Sequence, residues 1–409
     1  MSGAVGASRV LLQGGQVFDG TGSAPAQADV VVADGTIVDV GPGLDGDVVV
    51  DVTGMTVLPG FFDCHVHVTA SGVDVLDRLN RPFSYQFYAA ARNLEATLAT
   101  GVTTVRDAGG ADLGIAQAVA DGLVAGPRLL LAVNIIGQTG GHTDGWFPSG
   151  FDLPLSLPHP GRPAAIADGV DELRKVVRSL VRAGADVIKI CTTGGVLSPR
   201  DAPTHTQFSP GEIDVVVAEA AAAGLVVMAH AQGTAGIKNA VRAGVRSIEH
   251  GIYLDEEAIE LMLAHETWLV PTLAAPRAVL AAAAAGANLP PTVVAKAREV
   301  VEVHVESIRA AVAAGVRVAM GTDSGVGPHG HNLDELPLMQ NCGMSPEQVL
   351  VSTTSGAARL CGLQDHTGRV APGLAADLVV LEGDALQLNG LRERIRQVWQ
   401  DGRLVVGAA

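Results

Sequence analysis

Between residues 61 and 323 the chain alternates eight times between a short apolar run and a longer, helix-like stretch. The apolar runs span 61–67, 102–107, 128–136, 186–191, 225–230, 246–250, 268–272 and 317–323. Continuous apolar strands that alternate with helices form parallel sheets, because the helices cover both faces of each strand. Eight such units in about 300 residues predict an α/β fold of the (β/α)8 TIM-type barrel class. The alternative is an open doubly wound sheet, but no GxGxxG motif follows the first run.

Most of the helix-like stretches are followed by a glycine. They span 86–99, 171–183, 211–223, 236–243, 256–264 and 293–314. Glycines follow most of them, at Gly101, Gly184, Gly224, Gly244 and Gly315. Glycine adopts the left-handed conformation that ends a helix, so these positions predict helix ends. Two connections are long, 137–168 and 324–346. Loops that follow barrel strands face the active site, so we expect both connections to lie there.

The two ends of the chain differ from this middle region. Residues 1–59 contain short apolar runs separated by Gly and Asp turns, and residues 367–409 return to that pattern. Two β-rich ends around a different middle predict one small β-sandwich built from both ends. The alternative is two unrelated caps. We therefore predict a barrel domain over 60–366 and a sandwich over 1–59 and 367–409.

Composition excludes several classes of partner. The chain has 27 Lys and Arg against 43 Asp and Glu, and this net charge of −16 argues against nucleic acid and anionic membranes. The four cysteines show no clustered spacing, which indicates free thiols in a reducing compartment. There is no basic and apolar leader and no apolar run of about 18 residues. We therefore expect a cytoplasmic protein without a membrane span.

Polar side chains stand at the ends of the apolar runs, where a core would exclude them. They are His65, His67, Lys189, His230, His250 and Asp323. His65 and His67 point to the same face of a strand, because side chains alternate with a period of two. Each residue taken alone is an ordinary core or rim group, but the strand ends of a barrel converge on one mouth. We therefore expect the six side chains to form one metal-binding cluster.

Lys189 is the least expected of these residues. It lies inside the apolar run IKIC, where a buried ammonium group loses its hydration. One interpretation is that the side chain reaches solvent at the strand end. The other is that the amine is carboxylated. The resulting anionic carbamate is able to bridge two metal ions.

At this point the chain resembles a known family. The motif PGFFDCHVH at 59–67, followed by the Lys, His, His and Asp positions in that order, resembles the amidohydrolase superfamily. The segment GRVAPGLAADLV at 368–379 is typical of the return to the sandwich in that superfamily, so the resemblance spans nearly the whole chain. Members similar to this one are (β/α)8 barrels with a sandwich from both chain ends. They hydrolyse amide or related bonds with bound divalent metal ions.

The resemblance implies a binuclear centre. By it, His65, His67 and Asp323 hold one metal ion, His230 and His250 hold the second, and carboxylated Lys189 bridges them. Zinc suits imidazole and carboxylate ligands, with manganese and cobalt as alternatives. A hydroxide that bridges the ions would attack the substrate carbonyl. Asp323 would act as the general base and pass the proton to the leaving nitrogen.

Three further motifs resemble the imidazolonepropionase-like branch, which contains Xaa-Pro dipeptidases: GGH at 140–142, IKICTTGGV at 188–196 and QFS at 207–209. Prolidases of this branch carry a tyrosine two residues after the histidine of the fifth strand, where this chain has Gln232. The implied function is hydrolysis of a C–N bond in a small molecule such as a dipeptide or an N-acyl amino acid. Gln232 keeps open a carbamate or urea-type xenobiotic as substrate. A non-catalytic relative is the third alternative and would require lost ligands.

Four residues are candidate substrate contacts. His142, in the loop 137–168, is either a donor to the developing oxyanion or to a substrate carboxylate, or a solvated loop histidine. Trp146 in the same loop either walls the pocket or packs the loop down, and Gln232 and Tyr253 follow the fifth and sixth runs. Three loop histidines have no assigned role: His205, His329 and His331. The resemblance further implies a homo-oligomer whose other partner is the small-molecule substrate.

Overall fold

The structure is a computed structural model that describes residues 9–408. Its strands are β1 (Val10–Gln13), β2 (Gln16–Val17), β3 (Ala26–Gln27), β4 (Asp29–Ala33), β5 (Thr36–Gly41), β6 (Val48–Asp51), β7 (Met55–Pro59), β8 (Phe61–Val66), β9 (Val102–Asp107), β10 (Arg128–Leu131), β11 (Ile135–Ile136), β12 (Ile188–Cys191), β13 (Val227–Ala231), β14 (Ser247–His250), β15 (Trp268–Val270), β16 (Leu378–Glu382), β17 (Ile395–Gln400) and β18 (Arg403–Val406). Its α-helices are α1 (Val75–Asn80), α2 (Tyr85–Leu98), α3 (Leu113–Ala120), α4 (Gly169–Arg182), α5 (Pro210–Ala222), α6 (Thr234–Ala243), α7 (Glu256–Ala264), α8 (Ala274–Ala284), α9 (Pro291–Ala314), α10 (Glu335–Asn341), α11 (Pro346–Ser352) and α12 (Ser355–Leu360).

The middle of the chain is a mixed α/β region with two parallel sheets. One has the strand order β10-β9-β8, and the other has the order β11-β12-β13-β14-β15. All pairs in both sheets are parallel, and Ala231 of β13 lies opposite His250 of β14. The strands are buried on both faces, as continuous apolar runs predict.

Two of the eight predicted strands differ from the expectation. The run 128–136 is split into β10 and β11 at Val133, whose positive φ of 65° interrupts the extended backbone. The run 317–323 is not a regular strand, and its last residue, Asp323, also has a positive φ of 60°. This segment nevertheless hydrogen-bonds to neighbours on both sides. The N–H of Leu269 in β15 donates to the carbonyl of Arg317 at 2.8 Å, and the N–H of Cys64 in β8 donates to the carbonyl of Met320 at 2.9 Å.

The six predicted helices are confirmed as α2, α4, α5, α6, α7 and α9. Each glycine predicted to end a helix has a positive φ, between 74° at Gly224 and 92° at Gly184. Helix α8 was not expected. Its first turn contains Pro276. The first N–H groups of a helix have no partner within the helix, and here Glu335, distant in the sequence, accepts those of Leu273 and Ala274, each at 2.7 Å.

The two ends of the chain meet in one sheet. Its order is β18-β17-β16-β7-β2-β3, and β16 pairs antiparallel with β7, so that Val379 lies opposite Leu58. A second sheet has the order β5-β4-β1-β6. Buried side chains from both sheets belong to one apolar cluster, which includes Leu12, Val30, Ile37, Val57, Leu378, Val380 and Trp399. Among residues 9–408, no helix is long and apolar enough to cross a membrane.

The loop 137–168 contains neither a regular helix nor a regular strand, only isolated bridges. Arg162 anchors it, with 1% of its surface exposed. Its Nε donates to the carbonyl of Leu157 at 3.1 Å, and its Nη2 donates to Gln86 Oε1 at 2.7 Å. The loop is therefore held against helix α2.

Candidate metal centre and active site

The six predicted ligand residues lie together at the carboxyl ends of the parallel strands. His65 is in β8, Lys189 in β12, His230 in β13 and His250 at the end of β14. His67 directly follows β8, and Asp323 lies in the segment that joins β15 to β8 through hydrogen bonds. All six side chains line one pocket. The expectation that the strand ends bring them together agrees with the structure.

Asp323 contacts the two histidines of the first motif. Its Oδ1 lies 3.3 Å from His67 Nε2 and 3.6 Å from His65 Nε2. One ligand atom of each of these three residues lies within 4.8 Å of the others, a spacing that one metal ion would span. Burial alone would raise the pKa of Asp323, but His65 and His67 lower it overall. The carboxylate is therefore ionised and is available as a ligand.

The far ring nitrogens of these histidines are held by outer groups. His65 Nδ1 is 2.8 Å from Glu249 Oε2, and His67 Nδ1 is 2.7 Å from the carbonyl of Gly109. A ring that donates through Nδ1 keeps the lone pair on Nε2, the nitrogen that faces Asp323 in both residues. This is the arrangement that orients imidazole ligands toward a metal ion.

His230 and His250 form the other side of the cluster. Their ring centroids are 4.7 Å apart, and His250 lies 5.1 Å from the His65 ring. His250 Nδ1 is 2.7 Å from Thr272 Oγ1, while His230 Nε2 is 3.1 Å from the carbonyl of Gly194, which leaves His230 Nδ1 for a ligand. Burial lowers the pKa of both rings well below the usual value, so both are neutral, as metal ligands must be.

Lys189 carries a buried amine without a hydrogen-bond partner among residues 9–408. The residue is 2% exposed, and burial lowers its pKa. A buried polar group that makes no hydrogen bond costs free energy, which a bound group at this position would offset. A carboxylated amine would provide two oxygens that share one negative charge, beside four imidazoles and one carboxylate. The donor set therefore fits divalent metal ions.

A buried ion pair supports this centre, and it was not predicted from the sequence. Glu249 receives a hydrogen bond from Arg106 Nη2 at 3.0 Å on one oxygen and contacts His65 on the other. Arg106 Nε also donates to the carbonyl of Cys64 at 2.7 Å. Both charged residues lie inside apolar runs, as Lys189 does. The same signal would have identified them.

The backbone is strained around the centre. His250, Thr272 and Asp323 have φ angles of 74°, 54° and 60°, a region that residues other than glycine rarely adopt. Such strain persists only where the surrounding structure imposes it, and it concentrates at functional sites.

The pocket holds about 670 Å³, counting the space at its mouth, and its walls are mainly apolar. The apolar lining residues are Ile135, Leu155, Val196, Leu197, Ile252, Ala275, Pro276, Val279 and Val326. Besides the six ligand candidates, His142, Gln232, Thr272 and His304 supply polar groups. A pocket of this kind suits a small molecule with an apolar part and few polar contacts.

Two of the four predicted substrate contacts line this pocket. Gln232 presents a buried Oε1 without a hydrogen-bond partner in the described chain. The His142 ring stacks on the His230 ring, with centroids 4.2 Å apart and planes inclined by 18°. Burial lowers the pKa of His142 to about 4.

The other two predicted contacts lie outside the pocket lining. Trp146 is 50% exposed and packs under the guanidinium of Arg200, 4.7 Å from the ring centroid. Tyr253 packs against the apolar cluster that includes Ile252 and Val279 of the pocket wall, without lining the pocket itself. The loop 137–168 contributes Leu155 to the pocket rather than Trp146. Substrate contact by Trp146 and Tyr253 stays a prediction.

The three unassigned histidines lie away from the pocket lining. His205 is exposed. His329 Nε2 is 3.2 Å from the carbonyls of His67 and Ala70, and burial lowers the pKa of His329 to about 4. His331 is exposed and pairs with Asp334 at 3.1 Å. His329 therefore supports the loop that follows the first two ligands.

Comparison with known proteins agrees with this geometry. The amidohydrolase family matches residues 56–407. The chain belongs to the amidohydrolase family. Ochratoxinase from Aspergillus niger is 34% identical over 366 residues, which cover 86% of this chain and 75% of that protein. Imidazolonepropionase from Rhizorhabdus wittichii is 27% identical over 378 residues, covering 83% of this chain and 82% of that protein.

Among solved structures, a Xaa-Pro dipeptidase with bound methionine in its active site superposes on this amidohydrolase with a TM-score of 0.89 and 33% identity. The match covers 98% of this chain and 100% of that one. The resemblance inferred from the motifs is thus confirmed. The names of these relatives support amide hydrolysis as the general type of reaction.

Proposed function

We propose that this amidohydrolase cleaves a C–N bond of a small molecule, such as a dipeptide or an N-acyl amino acid, at a binuclear metal centre. One observation carries the proposal. Six side chains of ligand type, from five segments of the chain, converge on one pocket, and the buried Lys189 amine among them has no hydrogen-bond partner in residues 9–408.

We further propose that the two parallel sheets form one closed (β/α)8 barrel over residues 60–366. Support comes from the segment 317–324, which hydrogen-bonds to β15 on one side and to β8 on the other. At the other gap the Asp186 N–H donates to the carbonyl of Leu131 at 2.8 Å. The pairing of β16 with β7 and the shared apolar cluster support a small β-sandwich from residues 1–59 and 367–409, of which 1–8 and 409 lie outside the described part.

In the proposed centre, His65, His67 and Asp323 would hold one divalent ion, and His230 and His250 would hold the second. Lys189, carboxylated, would contribute to both. Zinc is the expected ion, because imidazole and carboxylate groups are its usual ligands. When bound, such ions lower the pKa of a water molecule and polarise a carbonyl group.

The protein's own residues would orient the substrate and move the proton. Asp323 lines the pocket, with its Oδ1 beside the Nε2 atoms of His65 and His67, so it is placed to accept a proton and to deliver it to the leaving nitrogen. Ile252, Val279 and Val326 would exclude water from the apolar part of the substrate. Gln232 would contact a polar group of the substrate.

A second candidate is the hydrolysis of carbamates or ureas. It is favoured by Gln232, which lines the pocket as a neutral amide where prolidases of this branch carry a tyrosine. A side-chain amide offers both an acceptor and a donor, which complement the C=O and N–H of a carbamate or urea.

The experiment is a substrate panel. Zinc-loaded protein would be incubated with Xaa-Pro and other dipeptides, N-acyl amino acids, carbamates and phenylureas, and the released amine would be quantified. Turnover of dipeptides or N-acyl amino acids supports the first candidate, and cleavage confined to carbamates or ureas supports the second. Absence of turnover across the whole panel would contradict both.

A further inference from the structure

We propose that Ser198 and Asp201 are positioning residues that fix His142 as a hydrogen-bond acceptor toward the substrate, so that the enzyme selects secondary amides over tertiary ones. A secondary amide carries a hydrogen on its nitrogen, and a tertiary amide, such as the bond before proline, does not. The inference rests on the proposed function and narrows its substrate class.

Asp201 is surrounded by hydrogen-bond donors. Its side chain is 7% exposed, Oδ1 accepts the N–H of Gly195 at 3.2 Å, and Oδ2 accepts Nε2 of Gln207 at 3.1 Å. The ammonium of Lys296 lies 3.8 Å from Oδ1. The Asp201 carboxylate has no hydrogen to give and only accepts hydrogen bonds.

Lys296 also holds the loop that carries these groups. From helix α9 its Nζ donates to the carbonyls of Gly195 at 2.6 Å, Ser198 at 2.5 Å and Asp201 at 3.0 Å. An ammonium group has three hydrogens, and all three are used here. The positions of Ser198 and Asp201 relative to the pocket are therefore fixed by a tertiary contact.

The direction of the next hydrogen bond follows from these contacts. Ser198 Oγ has one hydrogen, and its closest acceptor is Asp201 Oδ1, while the carbonyl of Gly195 is farther away at 3.3 Å. A hydroxyl that gives its hydrogen to a carboxylate has only lone pairs left. His142 Nδ1, 2.9 Å from Ser198 Oγ, must therefore be the donor.

The ring of His142 is held on two sides. It stacks on His230, and Gly195 lies against its edge so closely that a Cβ at that position would be 2.2 Å from Cε1 and 2.6 Å from Nδ1. The main-chain N–H of His142 donates to Gln207 Oε1 at 3.2 Å. His142 Nε2 makes no hydrogen bond within the described chain, and the residue lines the pocket.

A ring that donates through Nδ1 presents a lone pair at Nε2. That lone pair repels a carbonyl oxygen or a carboxylate and binds an N–H or O–H donor. Every secondary amide brings one such donor into the pocket, on its scissile nitrogen. This role differs from the donor role toward the oxyanion that the sequence predicts for His142.

The test compares a secondary amide that the enzyme cleaves with its N-methyl analogue. The ratio of their kcat/KM values would be measured for the wild type, for Ser198→Ala and for Ser198→Thr, which keeps the hydroxyl. One hydrogen bond corresponds to about tenfold, so the ratio should fall about tenfold in Ser198→Ala and stay near the wild-type value in Ser198→Thr. All variants receive the same two amides, so the intrinsic difference in reactivity between these amides cancels when the ratios are compared between variants.

A matched control is Ser179→Ala, which removes a hydroxyl that bonds to the carbonyl of Lys175 on the exposed side of α4. It should leave the ratio unchanged. An equal loss of activity toward both amides in Ser198→Ala would indicate a merely structural role and overturn the proposal. Faster cleavage of the tertiary amide by the wild type would overturn it too.

A second readout does not depend on turnover. In zinc-loaded protein with 15N-labelled histidine, the ring signals of His142, assigned with His142→Gln, should show a protonated Nδ1 and an unprotonated Nε2. A protonated Nε2 at neutral pH would refute the proposed hydrogen-bond direction. If no variant cleaves any amide, the proposed function fails, while this spectrum still decides the hydrogen-bond direction.

Discussion

Replacing Arg106 with methionine should destabilise the fold strongly, although the residue lies outside the pocket lining. Arg106 is 2% exposed and Glu249 is fully buried. The substitution Arg106→Met preserves much of the side-chain length and removes hydrogen bonds to the carbonyl of Cys64, to Ser247 Oγ at 3.2 Å and to Glu249 Oε1. It leaves the Glu249 carboxylate buried without its cation.

The expected loss can be estimated from this geometry. Removing one partner of a buried ion pair costs about 3–5 kcal/mol, because the remaining charge stays desolvated. Arg106 makes three hydrogen bonds, so we expect a loss toward the upper end of the range of about 3–5 kcal/mol. In the double variant Arg106→Met, Glu249→Gln neither charge remains, and we expect the part of the loss that comes from the unpaired charge to be recovered.

The assay is urea denaturation of the wild type, both variants and a surface control, with unfolding rates measured where refolding is incomplete. The control is Arg178→Met, which removes an arginine that is 67% exposed and pairs with Glu219 at 2.8 Å. Water replaces that pair, so its loss should have little effect. If Arg106→Met lost no more free energy of unfolding than Arg178→Met, the role assigned to the buried pair would be refuted.

Three other predictions concern the ligands and their surroundings. Lys189→Ala should lower metal occupancy, measured by elemental analysis, and full loading with two ions would contradict the bridging role. Asp323→Asn should abolish turnover and keep the circular dichroism spectrum of the wild type; a near wild-type rate would refute the general-base role. For His329, the folded-state pKa of about 4 lies below the usual 6.5, so protonation favours unfolding. Stability should be lost as pH falls from 6.5 to 4, by about 3 kcal/mol for this residue, and His329→Gln should show a smaller loss in urea midpoints over that range.

Two sequence patterns predicted the strands and helices, and the folded chain keeps the local structure that each pattern indicates. Apolar runs without polar alternation indicated buried parallel strands, and glycines such as Gly184 and Gly244 adopt the positive φ that ends a helix. The segment 317–323 was predicted as a strand, but the backbone at Asp323 departs from extended geometry. A pattern of apolar residues does not encode that departure.

The six ligand candidates were predictable because a polar side chain at the end of a buried strand costs free energy unless it binds a partner. Their outer partners were harder to find. Glu249 and Arg106 carry the same signal as Lys189, whereas Ser198 and Asp201 lie in a loop without periodicity. The contacts of these two loop residues with His142 depend on Lys296 of a distant helix, so only the folded chain reveals them.

The most direct test of the metal centre is a zinc titration of metal-free protein in bicarbonate buffer, followed by amide hydrolysis and by bound metal per chain. We predict that activity rises from near zero and reaches its maximum at two equivalents of zinc, and that Lys189→Ala does not reach it. Full activity of the metal-free protein, or a chain that binds no zinc, would contradict the claim that these six residues form a metal-dependent hydrolytic centre.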